Sequence, residues 1–389
     1  MQQSFNFCFH VPTEIVFGNG QFNTIGERAK GLGRKAMLVT YPDFPYTEKA
    51  LNLLTAAGLE PILFDQVEEN PTHTMIDAGG ALVRQEGYDV IIGLGGGSAM
   101  DAAKGISTAG KLNFPIWEVT EGRDVVEDIL PVLVVPTTSG TGSETTPYAV
   151  ISNRSLKRKE GVFSKSFYPR LALCDPELTL SLPASITAVT GLDALSHAIE
   201  AYHSRLASPL TDLIVAEAIR LIGENLRTAV WQGNNIAARE KMMYASMLAG
   251  AAIGHTDTTI CHVIGEAIGA VYNTAHGSSV SLTMPAVMEY NYVACIDKYA
   301  HIAEMLGKNI VGMSKREAAK SAGSAVRDLI RDVKVPQSLS EIGVNDLEEV
   351  MKLVLRPGLT DPNPRELGEK EFLRIIKGSM TPALTYFDN

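Results

Sequence analysis

The chain has 389 residues, 45% of them hydrophobic and 20% charged, a length and composition expected of a globular protein with two domains. Its formal net charge of −10 gives no electrostatic reason to expect a nucleic acid or an anionic membrane as a partner. The four cysteines show no CxxC spacing, so we expect free thiols. The N-terminus lacks a basic start followed by an apolar run, and no uninterrupted apolar stretch is long enough for a membrane span. We therefore expect a cytoplasmic protein.

Short apolar runs alternate with helical stretches in the first half of the chain. Residues 46–58 and 74–87 carry apolar side chains at helical spacing. Strands that alternate with helices in this way pair in parallel, with helices packed on both faces of the sheet. We predict buried strands at residues 35–40, 61–64, 89–97, 131–138 and 170–175.

The composition changes after the last predicted strand, and stretches rich in alanine, leucine and methionine dominate the rest of the chain. Residues 209–233 and 237–254 have the pattern of amphipathic or buried helices, and we expect no strong strand in this half. The predicted fold class is therefore an α/β domain over residues 1–180 followed by an all-α domain over residues 181–389. A ligand cleft is expected between two such different halves.

Two segments rich in glycine and hydroxyl groups follow predicted strands. The first, with Gly-Gly-Gly-Ser at residues 95–98, leads into a helix, whose backbone N–H groups and dipole favour a phosphate. It is neither a GxGxxG motif nor a P-loop, and a tight turn without a ligand would also explain it. The second, PTTSGTGSETT at residues 136–146, reads by itself equally well as a plain loop. Together, at the carboxyl ends of strands in one sheet, the two segments favour a nucleotide site.

Five of the eight histidines lie between residues 197 and 276, in the predicted helical half. Asp193 and His197 are four residues apart, so they share one face of a helix at a spacing suited to chelation. Together with His262 and His276 they offer one carboxylate and three imidazoles, a set that suits iron, zinc, nickel or cobalt. A histidine in an apolar helix is, however, more often a hydrogen-bonded core residue. Two further histidines compete for the same role: His203 and His255.

Several of these segments, in this order, resemble the iron-containing (group III) alcohol dehydrogenase family. The resemblance runs from PTEIVFGNG at residues 12–20 to NPRE at residues 363–366, which is nearly the whole chain. It implies an α/β N-terminal dinucleotide-binding domain and an all-α C-terminal domain, an architecture shared with dehydroquinate synthase. The most specific segments are GGGSAMDAAK (95–104), PTTSGTGSE (136–144), DPELT (175–179), GLDALSHAIEAY (191–202) and GAVYNTAHG (269–277).

The positions that match the family's motifs imply a set of site residues. The implied cofactors are NAD or NADP and one divalent metal, with Fe²⁺ ahead of Zn²⁺ or Ni²⁺. The implied metal ligands are Asp193, His197, His262 and His276, the same four residues that the spacing argument reached. The implied cofactor-binding residues are Tyr41, Asn70, Gly95, Gly96, Gly97, Ser98, Asp101, Thr137, Thr138 and Lys159.

Glu266 departs from the family pattern, which often has a second histidine four residues after the ligand that matches His262. As a candidate catalytic residue, Glu266 would accept a hydrogen bond from a hydroxyl-bearing substrate or relay a proton. Alternatively it is a helix residue paired with a cation, or a fifth metal ligand. Neighbouring polar residues hint at a polar pocket that would favour a diol over a long alkyl chain: Thr256, Asp257, Thr258 and Thr259.

Tyr41 is a second departure, and it concerns the choice of cofactor. Relatives that prefer NAD often place an aspartate at this position, where it binds the ribose 2′-hydroxyl and repels a 2′-phosphate. Here the nearest carboxylate in the sequence is Asp43, two residues later. The sequence therefore leaves the cofactor as NAD or NADP.

The resemblance implies a metal-dependent, NAD(P)-linked alcohol dehydrogenase that interconverts a small primary alcohol or diol and its aldehyde by hydride transfer, with the metal as Lewis acid on the substrate oxygen. It also implies a homodimer or an assembly of dimers. Small alcohols and aldehydes are the expected partners. The alternatives on the same fold are a dehydroquinate-synthase-like cyclase or lyase and a glycerol dehydrogenase-type enzyme; a nucleotide-binding protein without redox activity is a third.

Overall fold

The computed structural model describes residues 6–125 and 127–382, which form two compact units. The first unit spans His10–Ser181, and the second begins at Leu182 and includes the segment that ends at Phe9. Within these residues no helix is both long and apolar enough to cross a membrane. All four cysteines are free thiols, as the sequence predicted.

A parallel sheet of six strands forms the centre of the first unit, and a two-stranded antiparallel hairpin lies beside it. The strands are β1 (Glu14–Phe17), β2 (Lys35–Val39), β3 (Glu60–Phe64), β4 (Val90–Gly95), β5 (Val132–Pro136), β6 (Tyr148–Asn153), β7 (Arg158–Phe163) and β8 (Leu171–Cys174). The order in the sheet is β1-β8-β5-β4-β2-β3, with every pair parallel, and β6 pairs with β7. Every residue of β4, β5 and β8 is buried, as is typical of strands covered on both faces.

The five predicted strands correspond to β2, β3, β4, β5 and β8. The sequence did not predict β1 or the β6–β7 hairpin. Strand β1 has four residues at a sheet edge, none of them buried, so no buried apolar run marks it. Strand β7 opens with Arg158, Lys159 and Glu160, which lack the alternation of a half-buried strand.

The direction of the connections reverses between β2 and β4. From β3, at one edge, the chain crosses β2 to form β4 and then continues to β5 on the opposite side. Ligands of open α/β sheets bind at the carboxyl ends of strands at such a switch point. The last residue of β4, Gly95, pairs with the last residue of β5, Pro136, so the two glycine-rich segments leave the sheet at the same edge, as predicted.

Close helix packing in the first unit depends on small residues. A Cβ added to Gly79 or Gly80 would lie 2.6 Å from Ile106 Cδ1 or 2.5 Å from Ala109 Cβ, so the helices that carry these residues approach closely. The helix containing both glycines begins after Thr72, whose hydroxyl accepts a hydrogen bond from Met75 N. The helices are α1 (Ile25–Lys30), α2 (Thr47–Ala56), α3 (His73–Glu86), α4 (Gly97–Ala109) and α5 (Trp117–Thr120).

The described residues of the second unit form helices and connecting segments and no strand, as the sequence predicted. Its core is one cluster of buried apolar side chains drawn from most of its helices. Helix α6 is buried along its whole second half, from Gly191 to His203, so polar side chains there must be hydrogen-bonded or bind a ligand. The helices are α6 (Ala184–His203), α7 (Pro209–Trp231), α8 (Ile236–Thr256), α9 (Ile260–Tyr272), α10 (His276–Asn291), α11 (Ile296–Met305), α12 (Lys315–Asp332), α13 (Glu348–Val354) and α14 (Glu369–Gly378).

Candidate functional site

Three helices of the second unit bring the candidate metal ligands together, and glycines let them approach. A Cβ on Gly277, near the start of α10, would lie 2.4 Å from the carbonyl oxygen of Val189 on α6. A Cβ on Gly265 of α9 would lie 2.5 Å from Val280 Cγ2 on α10. The candidate ligands on these helices are Asp193 and His197 on α6, His262 on α9 and His276 at the first position of α10.

Three of these side chains have donor atoms close enough to share one metal ion. Asp193 Oδ1 lies 3.9 Å from His262 Nε2 and 3.7 Å from His276 Nε2, and the three atoms lie within 4.8 Å of one another. Asp193 Oδ1 and His262 Nε2 are buried and have no hydrogen-bond partner among the described residues. Buried polar atoms normally have hydrogen-bond partners. Two potential metal-ligand atoms that lack such partners and lie close together therefore fit a bound cation.

His197 lies beside this cluster. Its side chain is buried, and its ring stacks on that of His262 with centroids 4.4 Å apart and planes inclined by 24°. Its ring nitrogens are not among the three donor atoms that lie within 4.8 Å of one another. A fourth ligand at His197 stays a prediction.

The two competing histidines are engaged elsewhere. His203 Nε2 lies 2.9 Å from Thr259 Oγ1, and its Nδ1 lies 2.9 Å from the Tyr299 hydroxyl. Burial lowers the pKa of His203 to about 4, so this ring is neutral. His255 Nδ1 lies 2.9 Å from the carbonyl oxygen of Ala251. Neither histidine belongs to the three-residue cluster.

Glu200 is a functional candidate that the sequence reasoning missed. Its carboxylate is fully buried and accepts a hydrogen bond from His262 Nδ1. It also accepts from Thr259 N (3.1 Å), Thr259 Oγ1 (2.7 Å) and Cys261 N (2.8 Å). Burial alone would raise the pKa of Glu200, but His262 and the other donors lower it to about 2. The available sequence signal was its position three residues after His197, on the same helix face.

Glu266 lies one turn after His262 on α9 and is partly buried. Burial lowers the pKa of His262, but the carboxylates of Glu200, Asp193 and Glu266 together raise it. Glu266 is thus near enough to act electrostatically on the candidate metal ligand. Two of the threonines taken as a sign of a polar pocket are used within the fold: Thr256 bonds the Ala252 and Asp257 carbonyl oxygens, and Thr259 bonds Glu200.

The first glycine-rich segment of the first unit packs against the Tyr41 ring. Gly95 has φ +146°, and a Cβ there would lie 2.7 Å from Tyr41 Cε2 and 2.9 Å from Ala99 Cβ, so only glycine fits. Burial raises the pKa of Tyr41, and the nearby Ser98 side chain and Ala99 backbone oppose this shift. Thr137 N donates to the Gly95 carbonyl oxygen at 2.9 Å, which joins the two segments.

The second segment packs closely on the first. A Cβ on Gly96 would lie 3.4 Å from Thr138 Cγ2, and a Cβ on Gly97 would lie 2.5 Å from Thr141 Cγ2. Residues predicted to contact the cofactor from both segments therefore lie side by side at the first turn of α4. Small residues there leave backbone N–H groups accessible to an anion.

Asn70 and Lys159 join the same group of residues. Asn70 N donates to Ser98 Oγ at 3.3 Å, and Lys159 Nζ donates to Asn70 Oδ1 at 2.9 Å. Asn70 has φ +59°, a left-handed conformation that asparagine tolerates. The structure thus brings Tyr41, Asn70, Ser98 and Lys159 together, although they are far apart in the sequence.

Asp101 and Lys104 on α4 hydrogen-bond to the second glycine-rich segment and to the residues that follow it. Asp101 accepts hydrogen bonds from Ser143 Oγ (2.6 Å) and from Val150 N (3.1 Å). The fully buried Lys104 Nζ donates to the carbonyl oxygens of Ser143 (2.7 Å), Thr146 (3.2 Å) and Tyr148 (2.8 Å). Burial raises the pKa of Asp101 and lowers that of Lys104 to about 8. The sequence reasoning did not identify Lys104.

Glu144 gives a pH-dependent stability that can be measured. Burial raises its pKa from 4.5 to about 7, even though Lys104 lies nearby. The folded carboxyl therefore holds its proton more tightly than the unfolded one, so stability falls as the pH rises from 4.5 to about 7. Relative to Glu144→Gln, the wild type should lose roughly 2 kcal/mol of unfolding free energy between about pH 5 and about pH 7.5 in urea titrations. If the difference in unfolding free energy between the wild type and Glu144→Gln does not change with pH, the raised pKa of Glu144 is contradicted.

The chain matches sequence models of one protein family along nearly its whole length. The model described as iron-containing alcohol dehydrogenase matches residues 12–176. The model described as the C-terminal part of the Fe-containing alcohol dehydrogenase family matches residues 187–380.

Individual relatives are similar over the same extent. The 1,3-propanediol dehydrogenase of Klebsiella pneumoniae is 38% identical over 95% of this chain and 98% of its own length. The NAD-dependent methanol dehydrogenase of Bacillus methanolicus is 35% identical over 96% of this chain and 99% of its own length. A crystal structure of a 1,3-propanediol oxidoreductase matches with a TM-score of 0.92 and 38% identity, covering 96% of this chain and 100% of that one.

Proposed function

The chain belongs to the iron-containing alcohol dehydrogenase family, and on this premise we propose that it interconverts a short diol and the corresponding hydroxyaldehyde. As an alcohol oxidoreductase of this family it uses NAD(P) and a divalent metal. We assign the metal to Asp193, His197, His262 and His276. The observation that carries this assignment is the pair of buried, unpaired donor atoms, Asp193 Oδ1 and His262 Nε2, 3.9 Å apart.

The residues of this site have distinct roles in the proposed reaction. When bound, the metal supplies a Lewis acid for the substrate oxygen and the nicotinamide supplies or accepts the hydride. Asp193 contributes the negative charge that holds a divalent cation among neutral imidazoles. Glu266, partly buried one turn after His262, accepts a hydrogen bond from the second hydroxyl of a diol or from the hydroxyl of a hydroxyaldehyde.

The substrate class rests on two supports. The relatives reported above include enzymes named for 1,3-propanediol, at 38% identity over almost the whole chain. The chain also places a carboxyl side chain, Glu266, one helical turn after the candidate ligand His262 on α9, where it is partly buried. A carboxyl group accepts hydrogen bonds, so it favours a substrate that can donate one over a substrate with only an alkyl chain.

Reduction of two matched aldehydes tests this substrate class. 3-Hydroxypropanal and propanal differ in one hydroxyl group, so the ratio of their kcat/KM values measures the contribution of that hydroxyl. We expect the wild type to favour the hydroxyaldehyde by about tenfold or more, and Glu266→Ala to reduce this preference to about twofold. Equal kcat/KM values for both aldehydes in the wild type would contradict the proposal.

Cofactor preference depends on Tyr41 in this proposal. The residue lies two positions after Val39, the last residue of β2, and carries no charge, so nothing at this position repels a 2′-phosphate. Tyr41→Asp should lower the NADPH to NADH ratio of kcat/KM by about tenfold or more, because a carboxylate repels the phosphate and accepts a bond from a ribose hydroxyl. Tyr41→Phe, which adds no charge, is the matched control. Equal losses with both cofactors in Tyr41→Asp would count against this role.

The family match over both units favours a dehydrogenase over a cyclase or a redox-inactive binding protein. A homodimer or an assembly of dimers, and a cytoplasmic location, stay predictions from the sequence.

A further inference from the structure

The carboxylate of Glu200 is divided between two sets of donors. One oxygen, Oε1, accepts from Thr259 N (3.1 Å), Thr259 Oγ1 (2.7 Å) and Cys261 N (2.8 Å), at the start of α9. The other oxygen, Oε2, accepts from His262 Nδ1. The same side chain thus fixes the first turn of α9 and one edge of the His262 ring.

The hydrogen bonds around Thr259 run in one direction. The Thr259 hydroxyl donates to Glu200, so it is free only to accept from His203 Nε2 (2.9 Å). His203 then carries its proton on Nε2, and its Nδ1 accepts from the Tyr299 hydroxyl (2.9 Å). Each donor in this buried chain therefore points toward Glu200, which ends it as an acceptor.

A carboxylate that only accepts determines the tautomer of its histidine partner. A neutral imidazole has one N–H donor and one acceptor nitrogen. The form of His262 that binds a metal is the neutral imidazole. Because Nδ1 faces Glu200 Oε2, this form carries its proton on Nδ1, and its Nε2, 3.9 Å from Asp193 Oδ1, keeps the lone pair. His262 Nε2 is the buried ring nitrogen without a hydrogen-bond partner in the described residues.

We propose that Glu200 is a positioning residue for the metal centre: it holds His262 in the tautomer and orientation that present Nε2 as a ligand atom. This inference rests on the proposed metal site and deepens it. Partners that hydrogen-bond the second nitrogen of a ligating histidine typically affect metal affinity by about 10- to 100-fold. Glu200 should therefore affect metal affinity without contacting the ion.

Glu200→Gln is a sharp test because the surroundings determine how the amide must lie. The two backbone N–H groups of Thr259 and Cys261 need an acceptor, so the amide oxygen takes the place of Oε1. The amide NH₂ then faces His262 Nδ1, where two donors would meet. The ring is forced to carry its proton on Nε2, and the lone pair that faced Asp193 is lost.

The measurement is the dissociation constant for Zn²⁺, from competition with a chromophoric chelator, in the wild type, Glu200→Gln and the control Tyr299→Phe. We expect affinity to fall by about 10- to 100-fold in Glu200→Gln and by less than about threefold in the control, which keeps the Glu200 carboxylate. NADH affinity should be unchanged in all three proteins, which a general folding defect would not allow.

Two results would overturn the inference in distinguishable ways. Equal Zn²⁺ affinity in the wild type and a folded Glu200→Gln would contradict the role of Glu200 alone. A wild type that binds no Zn²⁺ or Fe²⁺ would contradict the proposed metal site as well. If Glu200→Gln does not fold, the ¹⁵N spectrum of the histidines in the Zn²⁺-loaded wild type decides: a proton on His262 Nδ1 with the metal on Nε2 supports the inference, and a proton on Nε2 with the metal on Nδ1 overturns it.

Discussion

Asp193→Asn is expected to reduce metal content from about one ion per chain to less than about one tenth, and kcat by about 1000-fold or more. Asparagine keeps the size of the side chain but removes its charge, so the cation loses its one anionic ligand among the imidazoles. Asp193 Oδ1 is also the atom that lies within 4 Å of both His262 Nε2 and His276 Nε2. Metal analysis after anaerobic purification and steady-state turnover measure the two effects.

Asp212→Asn is the matched control for this change. Asp212 is a partly buried carboxylate of the same unit, paired with Lys298 at 2.8 Å, and it takes no part in the metal cluster. The control should keep its metal and its turnover. Full metal content and full activity in Asp193→Asn would remove this residue from the site.

Lys104→Met should lower the free energy of unfolding by about 3–5 kcal/mol, because it removes the cation that pairs with the buried Asp101 carboxyl group. The Lys104 ammonium satisfies the carbonyl oxygens of Ser143, Thr146 and Tyr148, and it lies 3.8 Å from Asp101 Oδ1. Methionine fills similar space but donates no hydrogen bond. The second glycine-rich segment then loses the hydrogen bonds that hold it against α4, so NADH affinity should fall as well.

Lys35→Met is the control in the same unit. The Lys35 ammonium is exposed and bonds one carbonyl oxygen, that of Glu86, at 3.2 Å. Its replacement should change stability by less than about 0.5 kcal/mol. Urea unfolding and NADH titration of both variants would separate the two lysines; a Lys104→Met protein as stable as the control would show that the buried ammonium is dispensable.

The first unit was largely predictable because its central strands are continuous apolar runs. Strands β4, β5 and β8 are buried along their whole length, and such runs between turn residues are visible in the sequence. The edge strand β1 and the β6–β7 hairpin have no such run. Their pairing depends on partners elsewhere in the chain, as where β1 pairs with β8 more than 150 residues later.

The candidate site was predictable in its residue types but not in its supporting contacts. Spacing placed Asp193 and His197 on one helix face, but it could not separate His262 from His203 or His255. The structure separates them through contacts across long stretches of sequence: the Glu200–His262 hydrogen bond spans 62 residues, and the His203–Tyr299 bond spans 96. Lys104 was missed for the same reason, since its acceptors lie 39 to 44 residues away.

The central claim is that one divalent metal binds where Asp193 Oδ1, His262 Nε2 and His276 Nε2 meet. Anomalous diffraction from crystals of the anaerobically purified protein, recorded at the iron and zinc absorption edges, tests it most directly. We predict a single peak about 2.0–2.2 Å from these three atoms, with His197 as the fourth protein ligand. Crystals soaked in Fe²⁺ or Zn²⁺ that show no anomalous peak among these residues, or a peak elsewhere, would contradict the claim.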